Sequence, residues 1–427
     1  MPFLKKYKMQ KSIKYIVLLL ICSAFTTMSY YPIDGYLHTG IKRLKYLELV
    51  KSGELKSTTV IPPGAQKSYM DIELNLISKK EDSTAAFLSV DEQFQKDINA
   101  LFRGLDKSYS IAVLDISDID SVRYAKRNET AGYQPGSVGK LAVMVALFTQ
   151  LKKIYPDSFE KRLELLRSKS VKSGYWGLTD THTIPIFNLE TNKLLKRQVI
   201  ASDVFTLFEW ADHMLSVSNN GAASIVWREA LLMAAFGESY PTLSQEEADT
   251  YFTTTPKKEL TDLANDVVNL PLRELGITTD EWRLGSFFTS GANRYVGDKG
   301  GSIGSPLGLM KFLIQLEQGK VVDQESSLEM KRLMYMTDRR IRYAQSPALK
   351  PAAVYFKSGS LYKCDRSTGE ACGKYMGNVT NYMNSVAIVE HPDNCKYIVV
   401  LMTNVLRKNS ATDHLTLASS IDKIIKR

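Results

Sequence analysis

Strand-patterned segments stand at both ends of a stretch whose middle is patterned for helices, and few folds can accommodate that order. "SYSIAVLDISD" (108–118) alternates and carries β-branched residues, and "SVRYAKRNE" (121–129) reads as its hairpin partner. After Pro351, "AVYFKSGSLY", "YMNSVAIVEH" and "KYIVVLMTN" follow at the spacing of an antiparallel meander, with "SATDHLTLASSIDKIIKR" as a closing helix. Residues 150–345 between them are mostly helical in pattern, with a polar insertion at "TLSQEEADTYFTTTPKKE" and a helix in "SPLGLMKFLIQLEQGK" that has a Ser-Pro start and ends near Gly319. Strands so far apart find partners only in one sheet. The expected fold is therefore α/β, an antiparallel sheet flanked by helices plus an all-helical subdomain over about 137–345, within a domain spanning 93–427. Residues 32–92, with the basic stretch "TGIKRLKYLELVKSGELK" and the Pro62-Pro63-Gly64 break, read as an N-terminal extension: a linker with short helical packing. No internal repeat or low-complexity tract interrupts the chain.

Charge narrows the partners. The 427 residues carry a formal +9, but Lys5, Lys6, Lys8, Lys11 and Lys14 supply five of those charges in a terminus without acidic residues. The remaining charge is dispersed, so no nucleic-acid footprint exists. The lysines precede the apolar run "YIVLLLICSAF" (15–25), the order of an export signal. No Ala-x-Ala cleavage site follows and the apolar character continues to Tyr31, so residues 1–31 read as a signal peptide or as an uncleaved membrane anchor. Ile21 is too bulky for the position before a lipidated Cys22. The expected location is periplasmic, or anchored to the outer face of a bacterial cytoplasmic membrane. An oxidising compartment permits a Cys364–Cys372 bridge and leaves Cys395 free. His38, His182, His213, His391 and His414 are scattered and no Cys-x-x-Cys pair exists, so neither a metal nor another cofactor is expected.

The chemistry concentrates in "GYQPGSVGKLAVMVALF" (132–148). A nucleotide-binding loop needs Gly and Ser or Thr where Gln134 and Leu141 stand. The alternative is a nucleophile: Ser137 follows a Pro135-Gly136 break, and Leu141, Met144, Val145, Phe148 and Leu151 recur at helical spacing behind it. Lys140 then shares a face with Ser137, and free N–H groups at the helix start can stabilise an oxyanion. Ser-x-x-Lys alone decides little, since Ser158, Ser360 and Ser420 repeat it. Two further clusters follow. "SVSNNGAAS" offers Ser218-Asn219-Asn220, a hydroxyl to relay a proton and an amide to hold a carbonyl. "FKSGSLY" offers Lys357-Ser358-Gly359, where the glycine lets substrate backbone approach a strand edge and the lysine attracts a carboxylate.

Ser-x-x-Lys, Ser-x-Asn and Lys-Ser-Gly in this order, with a long helical region between the last two, resemble the serine β-lactamase (class A) and penicillin-binding protein superfamily over residues 93–427. The resemblance implies a β-lactamase/transpeptidase-like fold, with Ser137 as acylated nucleophile, Lys140 as its base, Ser218 as proton relay and Asn220 as substrate contact. It also implies that Lys357 and Ser358 bind a substrate carboxylate and that the N–H groups of Ser137 and Ser360 form the oxyanion hole. A lysine serves as a base near neutrality only if its pKa falls; partial burial and the charge of Lys357 are the expected causes, and no histidine is required.

One departure matters. Class A β-lactamases carry a Glu-x-x-Leu-Asn loop whose Glu activates the deacylating water. "LGITTDEWRLGSFFTSGANRYVGDKGGSIGSP" lacks it, and Glu281, the nearest carboxylate, is expected at the surface. The expected function is an exported acyl-serine hydrolase acting on β-lactams or D-alanyl peptides of peptidoglycan. The alternatives are a penicillin-binding D-alanyl-D-alanine carboxypeptidase-like enzyme and a non-turnover sensor of β-lactams or cell wall. A rival nucleophile elbow, "GGSIG" around Ser302 with His391 or His414 downstream, lacks the buried strand it needs.

Overall fold

The computed structural model describes residues 34–57, 62–369 and 371–427, so the expected leader, residues 1–31, lies outside the described residues. Five strands form one sheet in the order β2-β1-β11-β10-β9, antiparallel throughout. They are β1 (Ser110–Asp115), β2 (Arg123–Arg127), β9 (Ala353–Lys363), β10 (Thr380–Glu390) and β11 (Lys396–Asn404). β1 lies directly against β11, with Val113 opposite Val399, so segments almost 300 residues apart close the sheet as the pattern predicts.

Alternation divides the apolar side chains between two faces. Ile111, Val113, Val399 and Leu401 face a layer made by the Glu92–Ala100 and Ala411–Ile425 helices, with Phe94, Ile98, Leu417 and Ile421 in the same cluster. Ala112, Leu114, Ile398 and Val400 face the larger core around the Lys140–Ile154 helix. That helix is buried on nearly every side, where the sequence predicts one deeply buried face. It is the internal axle on which the other helices pack.

The region between the sheet segments departs from an all-helical pattern. Three two-stranded pairs interrupt it: β3 (Ser170–Lys172) with β6 (Val204–Thr206), β4 (Thr183–Asn188) with β5 (Lys193–Gln198), and β7 (Trp282–Arg283) with β8 (Ile303–Gly304). The β4–β5 ribbon carries Pro185, which an unpaired edge tolerates, and β5 is largely exposed, so neither strand has the apolar alternation that marks a half-buried sheet. The polar insertion is helical: Ser244 and Glu247 form a reciprocal cap on Gln245–Thr254, and Lys257–Glu274 follows.

Residues 34–92 are more than a linker. Ile41, Leu44, Leu47, Tyr69, Ile72 and Leu76 join the larger core. Arg43, in the Lys42–Ser52 helix, donates two hydrogen bonds of 2.5 Å to the fully buried Asp212 carboxylate. Lys67 and Asn75 reach Glu390 on β10 at 2.8 and 2.7 Å, and Lys331 bridges the same carboxylate to Glu317, each at 2.7 Å. Cys364 and Cys372 form the expected disulfide in the β9–β10 connection, and Cys395 is free and buried. Among the described residues, no helix is long and apolar enough to cross a membrane.

Candidate active site

Ser137 sits in a single 3-10 turn, Gly136–Gly139, that runs directly into the Lys140–Ile154 helix. The turn lies against β9, the outer strand of the sheet, and two glycines make the approach possible. Gly136 has φ +54°, and a Cβ there would come 2.9 Å from the Ser360 nitrogen. A Cβ on Gly359 would fall 2.1 Å from the Pro135 carbonyl oxygen and 3.1 Å from the Ser137 nitrogen. The backbones of Ser137 and Ser360 are thereby set side by side. From β10, Asn384 Nδ2 donates to the carbonyls of Gln134 and Pro135 at 2.9 and 3.1 Å and fixes the turn.

Lys140 lies beneath the serine and has no exposed surface. Its Nζ is 3.1 Å from Ser137 Oγ, and it donates to the Ser218 carbonyl at 2.5 Å and to Asn220 Oδ1 at 2.7 Å. A neutral amine has two N–H bonds and one lone pair. With both N–H groups engaged by carbonyl oxygens, the lone pair is left for the Ser137 hydroxyl. Burial pushes the amine down to about 7, the Asp180 carboxylate pulls the other way, and Arg339 adds to the lowering. The expectation is thus corrected on one point, burial being complete rather than partial, and Arg339 is a further cation acting on the amine.

Lys357 is also buried, and its amine is held well below the ordinary lysine range by burial first and by Lys140, Arg339 and Arg342 next. It donates to Ser218 Oγ at 2.8 Å and to the Ser358 carbonyl at 3.0 Å. Ser218 sits between the two amines with φ +60°, an unfavoured conformation for a serine, in the short link between the Leu207–Ser216 and Asn220–Phe236 helices. Asn219 takes the capping role: its Oδ1 accepts from the Ala222 N–H at 2.7 Å, leaving Asn220 to face Lys140.

Above this layer opens a cleft of about 630 Å³. Ser137, Asn220 and Ser360 line it; Lys140, Ser218 and Lys357 are buried outside the lining and reach it through Ser137 and Asn220, Gly359 packs against the turn, and Ser358 is half-buried on β9 outside the lining. Arg339, Lys374, Tyr375 and Phe288 complete the walls. Among the described residues, no carboxylate lines the cleft. Glu281 is half-buried rather than at the surface, where it accepts from Lys311 Nζ at 2.6 Å and from the Thr278 N–H at 2.8 Å.

The sequence reading missed a pair at the opposite wall. Asp180, whose side chain is 3% exposed, stands 2.6 Å from Nδ1 of His182, and His182 lines the cleft. Asp180 also accepts the Asn220 backbone N–H at 2.6 Å and its side-chain amide at 3.2 Å. Nothing in "LTDTHT" marks these residues, because their partner lies 40 positions away. Ser302 of the rival motif lines the cleft too, but its Oγ accepts from the Gly285 N–H at 3.1 Å, while His414 is buried beside Ser385 at 2.9 Å. His391, Cys395 and Asp422 come together at the other end of β10 and β11. There Lys426 Nζ, 3.0 Å from Asp422 and 3.1 Å from His391 Nδ1, already supplies the positive charge.

A model of the beta-lactamase enzyme family matches residues 93–425. Among solved structures, the TLA-3 extended-spectrum beta-lactamase aligns with a TM-score of 0.52 at 12% identity, covering 79% of this chain and 99% of that one. The TLA-1 extended-spectrum beta-lactamase aligns at 0.51 and 12% identity with the same coverages. A representative class A beta-lactamase from Bacteroides cellulosilyticus DSM 14838 aligns at 0.50 and 16% identity, covering 78% of this chain and 96% of that one. No curated protein matches the sequence. At such identities the structural likeness speaks for the fold.

Proposed function

Because the chain belongs to the beta-lactamase enzyme family, we propose that it is an exported acyl-serine hydrolase whose Ser137 opens β-lactam rings. The observation that carries this reading is the Lys140 amine, buried, lowered to about 7 and 3.1 Å from Ser137 Oγ. Near neutrality about half of such amines are unprotonated, which suits a general base. Lys140 takes the hydroxyl proton as Oγ bonds to the lactam carbonyl carbon. The oxyanion is met by the N–H groups of Ser137 and Ser360. As the C–N bond breaks, Ser218 Oγ gives its proton to the leaving nitrogen and is reprotonated from Lys140, so the acyl ester forms with no net proton change. Of the cations, Arg339 and Lys374 line the cleft and are the ones placed to meet a substrate carboxylate, with Lys357 buried behind Ser218 and Ser358 outside the lining.

Export is supported by the lysine-then-apolar order of residues 5–31 and by the Cys364–Cys372 bridge, a bond that persists in oxidising compartments. Absence of a tagged protein from the envelope fraction would exclude it.

A cleft lined by no carboxylate among the described residues favours a second reading, in which release by water is slow and a D-alanyl peptide of peptidoglycan is the natural acyl donor. Incubation with a fluorescent penicillin, followed by intact mass and peptide mapping, tests the common step. Label on Ser137, absent in Ser137→Ala, is expected; no label, no nitrocefin turnover and no D-alanine release from a D-alanyl-D-alanine peptide would together overturn both readings. Relative rates on nitrocefin and on that peptide separate them.

A further inference from the structure

Resting on the acyl-serine reading, we propose that His182 is the base that activates the water releasing the acyl group from Ser137. Among the described residues, the ionisable side chains on the cleft walls are His182, Arg339, Tyr362, Lys374 and Tyr375. Of these types, only imidazole offers one ring nitrogen as an acceptor while the other carries the proton. Glu281, the carboxylate nearest in sequence to where such a base is expected, is tied to Lys311 and lines no part of the cleft.

The ring is held as a base is held. Nδ1 lies 2.6 Å from Asp180 Oδ1, and an ionised carboxylate only accepts, so Nδ1 carries the proton. Nε2, on the opposite edge of the ring, keeps a lone pair and has no hydrogen-bond partner among the described residues. The His182 N–H donates to the same carboxylate at 3.2 Å, and its carbonyl accepts from Asn219 Nδ2 at 3.1 Å, which fixes the backbone on both sides. Its side chain is 30% exposed, enough for water to reach it. His182, its orienting carboxylate and the nucleophile are joined in one chain, because Asp180 holds Asn220, Asn220 holds Lys140 and Lys140 reaches Ser137 Oγ.

In the step, Nε2 removes a proton from water as the water oxygen bonds to the ester carbonyl carbon. The tetrahedral intermediate collapses with cleavage of the bond from that carbon to Ser137 Oγ. The proton returns to Oγ, the carboxylic acid leaves, and both side chains are restored. No further reactant is needed.

The test follows fluorescent penicillin and nitrocefin on the full chain, with acylation and release timed separately by stopped flow and intact mass. His182→Ala is expected to label on Ser137 yet release the acyl group about 10²- to 10⁴-fold more slowly than wild type, the range of a lost general base. His182→Gln, which can still donate to Asp180 but cannot take the proton, is expected to match it. Added imidazole is expected to restore release in His182→Ala, which no purely structural role predicts. Labelling with release unchanged in both variants would overturn the role of His182 alone. Failure of wild type to label on Ser137 would overturn the acyl-serine reading and this one with it.

Discussion

Asp180 and Asn220 are joined twice, the carboxylate accepting the backbone N–H at 2.6 Å and the side-chain amide at 3.2 Å, while Oδ1 of that amide accepts from Lys140 at 2.7 Å. A buried negative charge therefore sits one residue from Lys140 and favours its ammonium form. Replacing Asp180 with Asn removes that support, so the Lys140 amine falls further below about 7. The acid limb of the acylation rate, which reports loss of the neutral amine, is expected to move to lower pH in Asp180→Asn. A labelling-rate profile between pH 5 and 8 measures it, and a limb that moves up or stays put counts against the assignment.

Lys140 also makes folding depend on pH. An ordinary lysine titrates near 10.4 in the unfolded chain, against about 7 here, so between those values the unfolded state binds more protons. The cost of burying the charge is complete below about pH 7 and is relieved as pH rises toward 10. Lys140→Met has no such term. Its stability relative to wild type is expected to decline from pH 6 to pH 9 by on the order of a few kcal/mol. Parallel urea titrations at the two pH values give the difference.

Gly359 is expected to tolerate no side chain, since a Cβ would fall 2.1 Å from the Pro135 carbonyl oxygen. In Gly359→Ala the nucleophile turn must retreat from β9, pulling the Ser137 and Ser360 N–H groups apart. Loss of one well-aimed oxyanion donor costs about 10²- to 10³-fold in rate. Acylation by the labelled penicillin should fall by that order while the folded fraction, followed by circular dichroism, stays high.

Arg43→Ala leaves the Asp212 carboxylate buried without its bidentate partner. Removing one member of a buried pair costs about 3–5 kcal/mol. A lower urea midpoint with an unchanged slope is the expected outcome, and near-neutral stability would show that residues 34–57 contribute little to the fold.

The sheet was legible because alternation is local: each strand announces its two faces within a few residues, and Ile111 and Ala112 go to separate clusters. The three motif segments were legible because each packs its chemistry into four residues or fewer. What escaped was set by distance. His182 gains meaning only from Asp180 and Asn220, and Arg339 acts on an amine about 200 positions upstream. The β4–β5 ribbon has no apolar periodicity to reveal it, and the burial of residues 34–57 depends on a carboxylate in a later helix.

Closing the sheet with the last three strands has a consequence for the order of events during synthesis. A chain that has emerged only as far as residue 350 holds Ser137 and Lys140 but neither Lys357 nor β9, the strand against which the Ser137 turn lies. Contacts so remote in sequence form late and slowly. On the acyl-serine proposal, the growing polypeptide is expected to stay silent toward acylating agents until its final fifth is threaded into place, and reactivity to switch on with the finished molecule rather than by degrees.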